Sequence, residues 1–199
     1  GKACLEYSGE RLIFIGIRKE AVREEGKHAL TAANIPEEVN PYPHATHAGD
    51  IKGDGLLQKV TTYDVLKDLP EPADAIDPSQ SIYSKAKFQT NGSQGQTEIK
   101  LDGLGPTIRS EHHGNIEFRR LSAEHGGKHM VELNSGMQER RLTPRECALI
   151  QTFPPDYRFI MPYDGRKYRL SSSGAYKVIG NAVPPVLAFN IAMRLQELW

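Results

Sequence analysis

Ten residues near the middle of the chain, Gly105-Pro106-Thr107-Ile108-Arg109-Ser110-Glu111-His112-His113-Gly114, combine hydrogen-bond donors with the backbone freedom of glycine. The Arg109 guanidinium can fork onto a guanine edge or a phosphate, and His112 and His113 can donate from a loop. Gly114 permits close approach of the backbone to a ligand. The same residues would equally make an ordinary polar turn. A second group lies near the end of the chain, in Tyr176-Lys177-Val178-Ile179-Gly180-Asn181-Ala182-Val183-Pro184-Pro185. There Gly180 allows a tight approach and Asn181 offers an amide that both donates and accepts, just ahead of a helix. The two cysteines, Cys4 and Cys147, make neither a disulfide framework nor a zinc site. Cys147 falls on the apolar side of a helix and reads as core, not as a nucleophile. His112, His113, His125 and His129 would suit a metal on composition alone, but no metal site is expected.

These groups need elements to hold them. Arg11-Leu12-Ile13-Phe14-Ile15-Gly16-Ile17-Arg18 is a short apolar run between charges, and it predicts a buried strand interior to a sheet. Residues 32–58 are rich in Pro, Gly, His and Asp and read as loop. A short helix follows over 62–70, with Thr62 as its cap and Val65, Leu66 and Leu69 on one face. Residues 70–97 return to an irregular excursion, and strand-like pieces then come at 97–101, 106–109 and 115–119. Thr143-Pro144-Arg145-Glu146 is a strong helix start: threonine caps, proline takes the first position, and glutamate reaches back. Phe153-Pro154-Pro155 ends that helix. A last helix begins after Pro184-Pro185, where Leu187, Ile191, Leu195 and Leu198 form an apolar stripe expected to face a core.

The net charge is zero over 199 residues, which by itself does not suggest a nucleic-acid partner. Between residues 36 and 79, however, nine acids stand against three bases, so the remainder carries a balance of +6. Phosphate binding needs a locally basic face, and the overall balance does not decide it. No apolar run approaches the roughly 18–20 residues that span a membrane, and a cytoplasmic location with no membrane partner is expected.

Three blocks together resemble the DNA cytosine-5 methyltransferase family. Arg140-Arg141-Leu142-Thr143-Pro144-Arg145-Glu146-Cys147-Ala148-Leu149-Ile150-Gln151-Thr152-Phe153-Pro154 is similar to its ninth motif, and residues 176–185 are similar to its tenth. Ser8-Gly9-Glu10-Arg11-Leu12-Ile13-Phe14-Ile15-Gly16 looks like the end of its eighth, and residues 105–114 are similar to the core of its target-recognition region. The family pattern for the eighth motif has a glutamine and two arginines at alternate positions. This chain has Tyr7, Gly9 and Arg11, so the first arginine is missing.

The resemblance implies a fold and a division of labour. The fold would be α/β, with partial nucleotide-binding-like methyltransferase sheet elements and an irregular, β-rich target-recognition domain. Residues 1–30 and 160–199 would belong to the catalytic domain and meet in space. Residues 31–142 would form the recognition domain, tied on by a connecting helix in 143–159. The implied chemistry is methylation of a cytosine swung out of double-stranded DNA, with S-adenosylmethionine as methyl donor. Arg11 would be the catalytic guanidinium beside the base. Asn181 and Val183 would touch the cofactor, and Thr107, Arg109, Ser110, His112, His113 and Gly114 would touch DNA. In the ninth motif, Arg141, Arg145 and Glu146 would make internal ion pairs. No Phe-x-Gly-x-Gly loop, Pro-Cys dipeptide or Glu-Asn-Val block occurs in the chain. The expectation is therefore a C-terminal part of a restriction-modification methyltransferase, inactive until joined by an N-terminal catalytic part. The alternative is a DNA-binding module without enzymatic activity.

Overall fold

A computed structural model describes residues 13–22, 35–48, 55–90, 95–110, 116–165 and 167–198. Among these, the helices are α1 (Thr62–Leu66), α2 (Pro78–Ser81), α3 (Met130–Asn134), α4 (Pro144–Ile150), α5 (Ser172–Asn181) and α6 (Pro185–Leu198). The strands are β1 (Phe118–Arg120), β2 (Arg140–Arg141), β3 (Pro162–Tyr163) and β4 (Lys167–Tyr168). They pair antiparallel as β1–β2 and β3–β4. Asp164 and Gly165, both with left-handed backbone, turn the second pair.

Helix α4 lies at the centre because its sequence settles both of its ends. The Thr143 hydroxyl accepts from the Glu146 amide at 3.0 Å, and the Glu146 carboxylate accepts from the Thr143 amide at 2.9 Å. Pro144 occupies the first turn, as expected. Pro144, Arg145, Glu146, Cys147, Ala148 and Ile150 are all buried. Helices α1, α2 and α5 pack around this core, which gathers Leu66, Ile99, Ile108, Leu142, Ile160, Ala175 and Ile179. Tyr176 crosses it: burial holds its phenol well above the usual range, and the hydroxyl donates to the Leu142 carbonyl at 2.7 Å.

Around the start of α4 the interior is made of charge. Arg120 reaches Glu71 at 2.5 Å and Glu132 at 2.6 Å, and Arg140 reaches Glu71 at 3.0 Å and Glu146 at 2.8 Å. Arg119 reaches Glu132 at 2.5 Å. Guanidinium and carboxylate are matched one for one, so the cluster is neutral and its buried charges are compensated. Burial works to raise the Glu71 pKa, yet hydrogen bonds from Arg140 and Arg120 outweigh it and hold the group at about 2. Arg145 completes the expected internal pairing, with Asp77 at 2.6 Å.

Several expectations are corrected. The cap of α1 is Thr61, whose hydroxyl accepts from the Asp64 amide at 3.2 Å; Thr62 is buried and donates to the Gly103 carbonyl. Arg141 pairs with no carboxylate among the described residues; its guanidinium donates to the carbonyls of Ala86, Gly95 and Ile116. Of the three strand-like pieces, only the last yields a strand, and Glu98 meets Phe118 as an isolated bridge. Within the strand expected over 11–18, residues 13–18 are irregular and Phe14 is 84% exposed. No described element offers that segment a hydrogen-bonding edge, and an apolar run without one has no reason to extend as a strand. The run 172–181, for which no helix is expected, is the ten-residue helix α5. The stripe on α6 does not face a core: none of its residues is buried. The stretch 172–198 is apolar enough to cross a membrane by composition. It is broken at Ala182 into helices of 10 and 14 residues, and at about 1.5 Å per residue the longer falls short of a hydrocarbon core of roughly 30 Å.

Candidate nucleic-acid interface

Residues 105–110 run between α4 and α5, and two glycines set how closely. A Cβ on Gly105 would stand 2.5 Å from the Ile150 side chain. A Cβ on Gly180 would stand 2.3 Å from the Arg109 carbonyl carbon and 2.5 Å from the Ser110 amide nitrogen. Gly180 lies within α5, so this helix presents bare backbone to the Arg109–Ser110 peptide. Ile108 is buried in the core. Its neighbours Thr107, Arg109 and Ser110 remain half-exposed. The segment is thus nailed down by its apolar residue and leaves its polar residues at the surface.

Arg109 does not wave freely. Its Nη1 donates to Glu117 Oε1 at 3.0 Å, with 32% of the arginine side chain exposed against 9% of the glutamate. Burial raises the Glu117 pKa, opposed chiefly by the charge of Arg109 and by the Thr97 hydroxyl. Glu117 therefore orients an arginine side chain that is still 32% exposed. A guanidinium carries five N–H donors, and a phosphate or base edge could take others of them without breaking the pair.

The corner between α5 and α6 is built by the end of α4. The Gln151 side-chain amide donates to the Ala182 carbonyl at 2.9 Å and the Ile179 carbonyl at 3.3 Å. Thr152 sits at φ 65°, a costly position for a β-branched residue. Its hydroxyl accepts from the Val186 amide at 3.1 Å and so caps the first turn of α6. Asn181 and Val183 project from this corner, both exposed. An exposed amide next to an exposed apolar side chain suits one edge of an amphipathic ligand.

Thr107, Arg109 and Ser110 are therefore one residue contact, Gly180, away from Asn181. Arg11, His112, His113 and Gly114 lie outside the described residues. Cys147 is completely buried, and that burial pushes its thiol well up, which leaves it inert. His125 contacts Glu139 at 2.6 Å and stacks on Phe88, while His129 approaches Glu98 at 3.6 Å. Sequence reasoning missed Glu117 and the partner of Gly180. The tight approach at Gly180 was legible, but its partner is the Arg109–Ser110 peptide, 70 residues upstream and without any local signal.

A family model described as C-5 cytosine-specific DNA methylase matches residues 8–197. The chain is 28% identical over 155 residues to the type II methyltransferase M.MthTI of Methanothermobacter thermautotrophicus, covering 71% of this chain and 44% of that protein. It is 28% identical over 178 residues to M.BbvI of Brevibacillus brevis, covering 88% of this chain and 41% of that protein. Over a shorter stretch of 72 residues it is 42% identical to M.FnuDI of Fusobacterium nucleatum, covering 35% of this chain and 19% of that protein. The matched region spans less than half the length of each of these relatives.

Proposed function

The chain belongs to the C-5 cytosine-specific DNA methylases, and we propose that it supplies the target-reading part of such an enzyme, one guanidinium for the reacting base and one edge of the cofactor pocket. In this reading it is the C-terminal part of a restriction-modification methyltransferase. The observation that carries it is the contact of Gly180 with the Arg109–Ser110 peptide. That contact sets the half-exposed 107–110 segment and the exposed Asn181–Val183 corner side by side at the C-terminal end of α5.

Each residue then has a physical task. Arg109, steadied by Glu117, donates to double-stranded DNA at a base edge or a phosphate. Thr107 and Ser110 add neutral donors beside it, and His112, His113 and Gly114, next in the sequence, would contact DNA as well. Arg11 offers a fixed positive charge to a flipped cytosine as negative charge builds on the ring. Asn181 and Val183 would hold one edge of S-adenosylmethionine, the amide meeting a polar group and the isopropyl group an apolar face. That cofactor, when bound, supplies the methyl group. The glycine loop, the cysteine nucleophile and the acid would come from an N-terminal catalytic part, on the same chain or on a separate subunit.

A reconstitution assay tests this. The 199-residue chain is incubated with duplex DNA and radiolabelled S-adenosylmethionine, alone and with a polypeptide carrying the complementary motifs. Methyl transfer is expected only in the mixture. Transfer by the chain alone would overturn the division of labour. Salt-sensitive DNA binding without transfer in any mixture would favour a DNA-binding module with no enzymatic role.

A further inference from the structure

We infer that Thr152 is a positioning residue for the cofactor edge, held in a backbone conformation that suits glycine so that its hydroxyl can cap α6 and set the Asn181–Val183 corner. This rests on the reading above that the corner holds one edge of S-adenosylmethionine. Thr152 follows the last turn of α4. Its amide donates to the Leu149 carbonyl at 2.9 Å, and the Phe153 amide donates to the Ala148 carbonyl at 2.9 Å. That pair of bonds ends a helix around one left-handed residue, which is usually glycine. Here the position, at φ 65°, holds a β-branched residue, for which the conformation is unfavourable. If ending α4 were the only demand, glycine would meet it better.

The hydroxyl accounts for the threonine. The Pro184 carbonyl accepts from the Ala188 amide at 3.0 Å, so Pro184 stands at the capping position of α6 and Pro185 opens the helix. Proline has no side-chain oxygen to cap with, and Pro185 has no N–H. Val186 therefore carries the first amide of α6 that needs an acceptor. Thr152 Oγ1 supplies it at 3.1 Å, from 34 residues upstream. On the other side of the corner, the wholly buried Gln151 donates to the Ile179 and Ala182 carbonyls. Two consecutive residues at the end of α4 thus grip the last turn of α5 and the first turn of α6, and the Asn181–Val183 span lies between the two grips. Without the hydroxyl one grip opens, and α6 can swing relative to α5.

The test compares the wild-type chain with Thr152→Gly, which suits the backbone but lacks the hydroxyl, and with Thr152→Ser, which keeps the hydroxyl. Hydrogen exchange and thermal melting are followed on each chain. Binding of radiolabelled S-adenosylmethionine and of duplex DNA is then titrated with the polypeptide carrying the complementary motifs present. In Thr152→Gly the Val186 amide should exchange faster, and the Kd for S-adenosylmethionine should rise roughly fivefold or more, while duplex affinity stays level. Thr152→Ser should match the wild type in each measurement. Wild-type cofactor affinity in Thr152→Gly would overturn the inference, since threonine would then only end α4. So would Thr152→Ser binding the cofactor as weakly as Thr152→Gly, because the hydroxyl would not be the agent. A Thr152→Gly chain that does not fold would make the hydroxyl a matter of stability and overturn the inference too. Wild-type protein that binds no cofactor in the mixture would instead sink the cofactor-edge reading on which it rests.

Discussion

Helices α4 and α6 are both introduced by proline and both carry an apolar stripe, yet one is buried over nearly its whole length and the stripe of the other is only half-buried. The seven residues of α4 are held within the chain by a capping box, a neutral charge cluster, and apolar contacts with α1, α2 and α5. Among the described residues, the fourteen of α6 are tied down by Thr152 at the start and by Arg194, which donates to the Asn40 carbonyl at 2.9 Å and to the Glu37 carbonyl at 2.6 Å. Phe189 and Met193 on α6 are exposed, as is Phe14. Periodicity says which face of a helix is apolar; it does not say that the chain contains something to cover it.

The contrast can be broken first at the charge cluster. Glu146→Ala should cost about 3–5 kcal/mol, because it takes one of two carboxylates from the buried Arg140 guanidinium and removes half of the capping box. Chemical denaturation would read this as a shifted midpoint, and a loss below about 1 kcal/mol would mean that the cluster is far better hydrated than its geometry implies. Next is Gly180→Ala, whose new methyl group would meet the Arg109–Ser110 peptide well inside contact distance. An expected loss of about 1–3 kcal/mol should come with faster exchange of the Ser110 amide, and slower exchange there would count against the close packing.

Acid gives a third handle. The Glu71 pKa is lowered in the folded chain, to about 2 from an ordinary 4.5. The unfolded chain therefore takes up the proton first as pH falls. The stability that Glu71 contributes is complete above pH 4.5 and is lost progressively between there and about 2. A Glu71→Gln chain, already without that contribution, should show a flatter stability profile across this window, and parallel profiles would remove Glu71 from the account. The smallest effect belongs to α6. Ile191→Ala should change the stability of the isolated chain by only about 0.5 kcal/mol, against the roughly 2–5 kcal/mol of a well-packed core position. A core-sized loss in thermal melts would show that α6 is covered in solution.

Legibility followed sequence distance. The capping box at Thr143 was readable because its parts lie within four residues. The cap of α1 was missed by one position because Thr61 and Thr62 are adjacent and chemically alike. Helix α5 was missed because its first turn, Ser172-Ser173-Gly174, has poor helix propensity; Ser171 rescues it by accepting from the Gly174 amide at 3.1 Å. The charge cluster was partly foreseen as ion pairing, but the pairing itself was not: Glu71 and Arg140 are 69 residues apart. The same holds for the candidate site. Arg109 was legible by type, whereas Glu117 and Gly180 acquire their roles only when the chain folds back.

The long-range contacts at α4 also determine how the chain accommodates change in length. Glu71, Asp77 and Gln80 bond to Arg140, Arg145 and Thr143. Everything between residues 81 and 139 is thereby a loop whose two ends are buckled together. The entropy of closing such a loop grows only with the logarithm of its length, so that even doubling it costs about 0.6 kcal/mol. Insertions and deletions in the exposed stretches of this span, away from Ile99, Ile108, Ile116, β1 and Glu132, are thermodynamically cheap while the buckle survives, whereas a single-residue shift within 71–80 or 140–146 would misalign every bond in it.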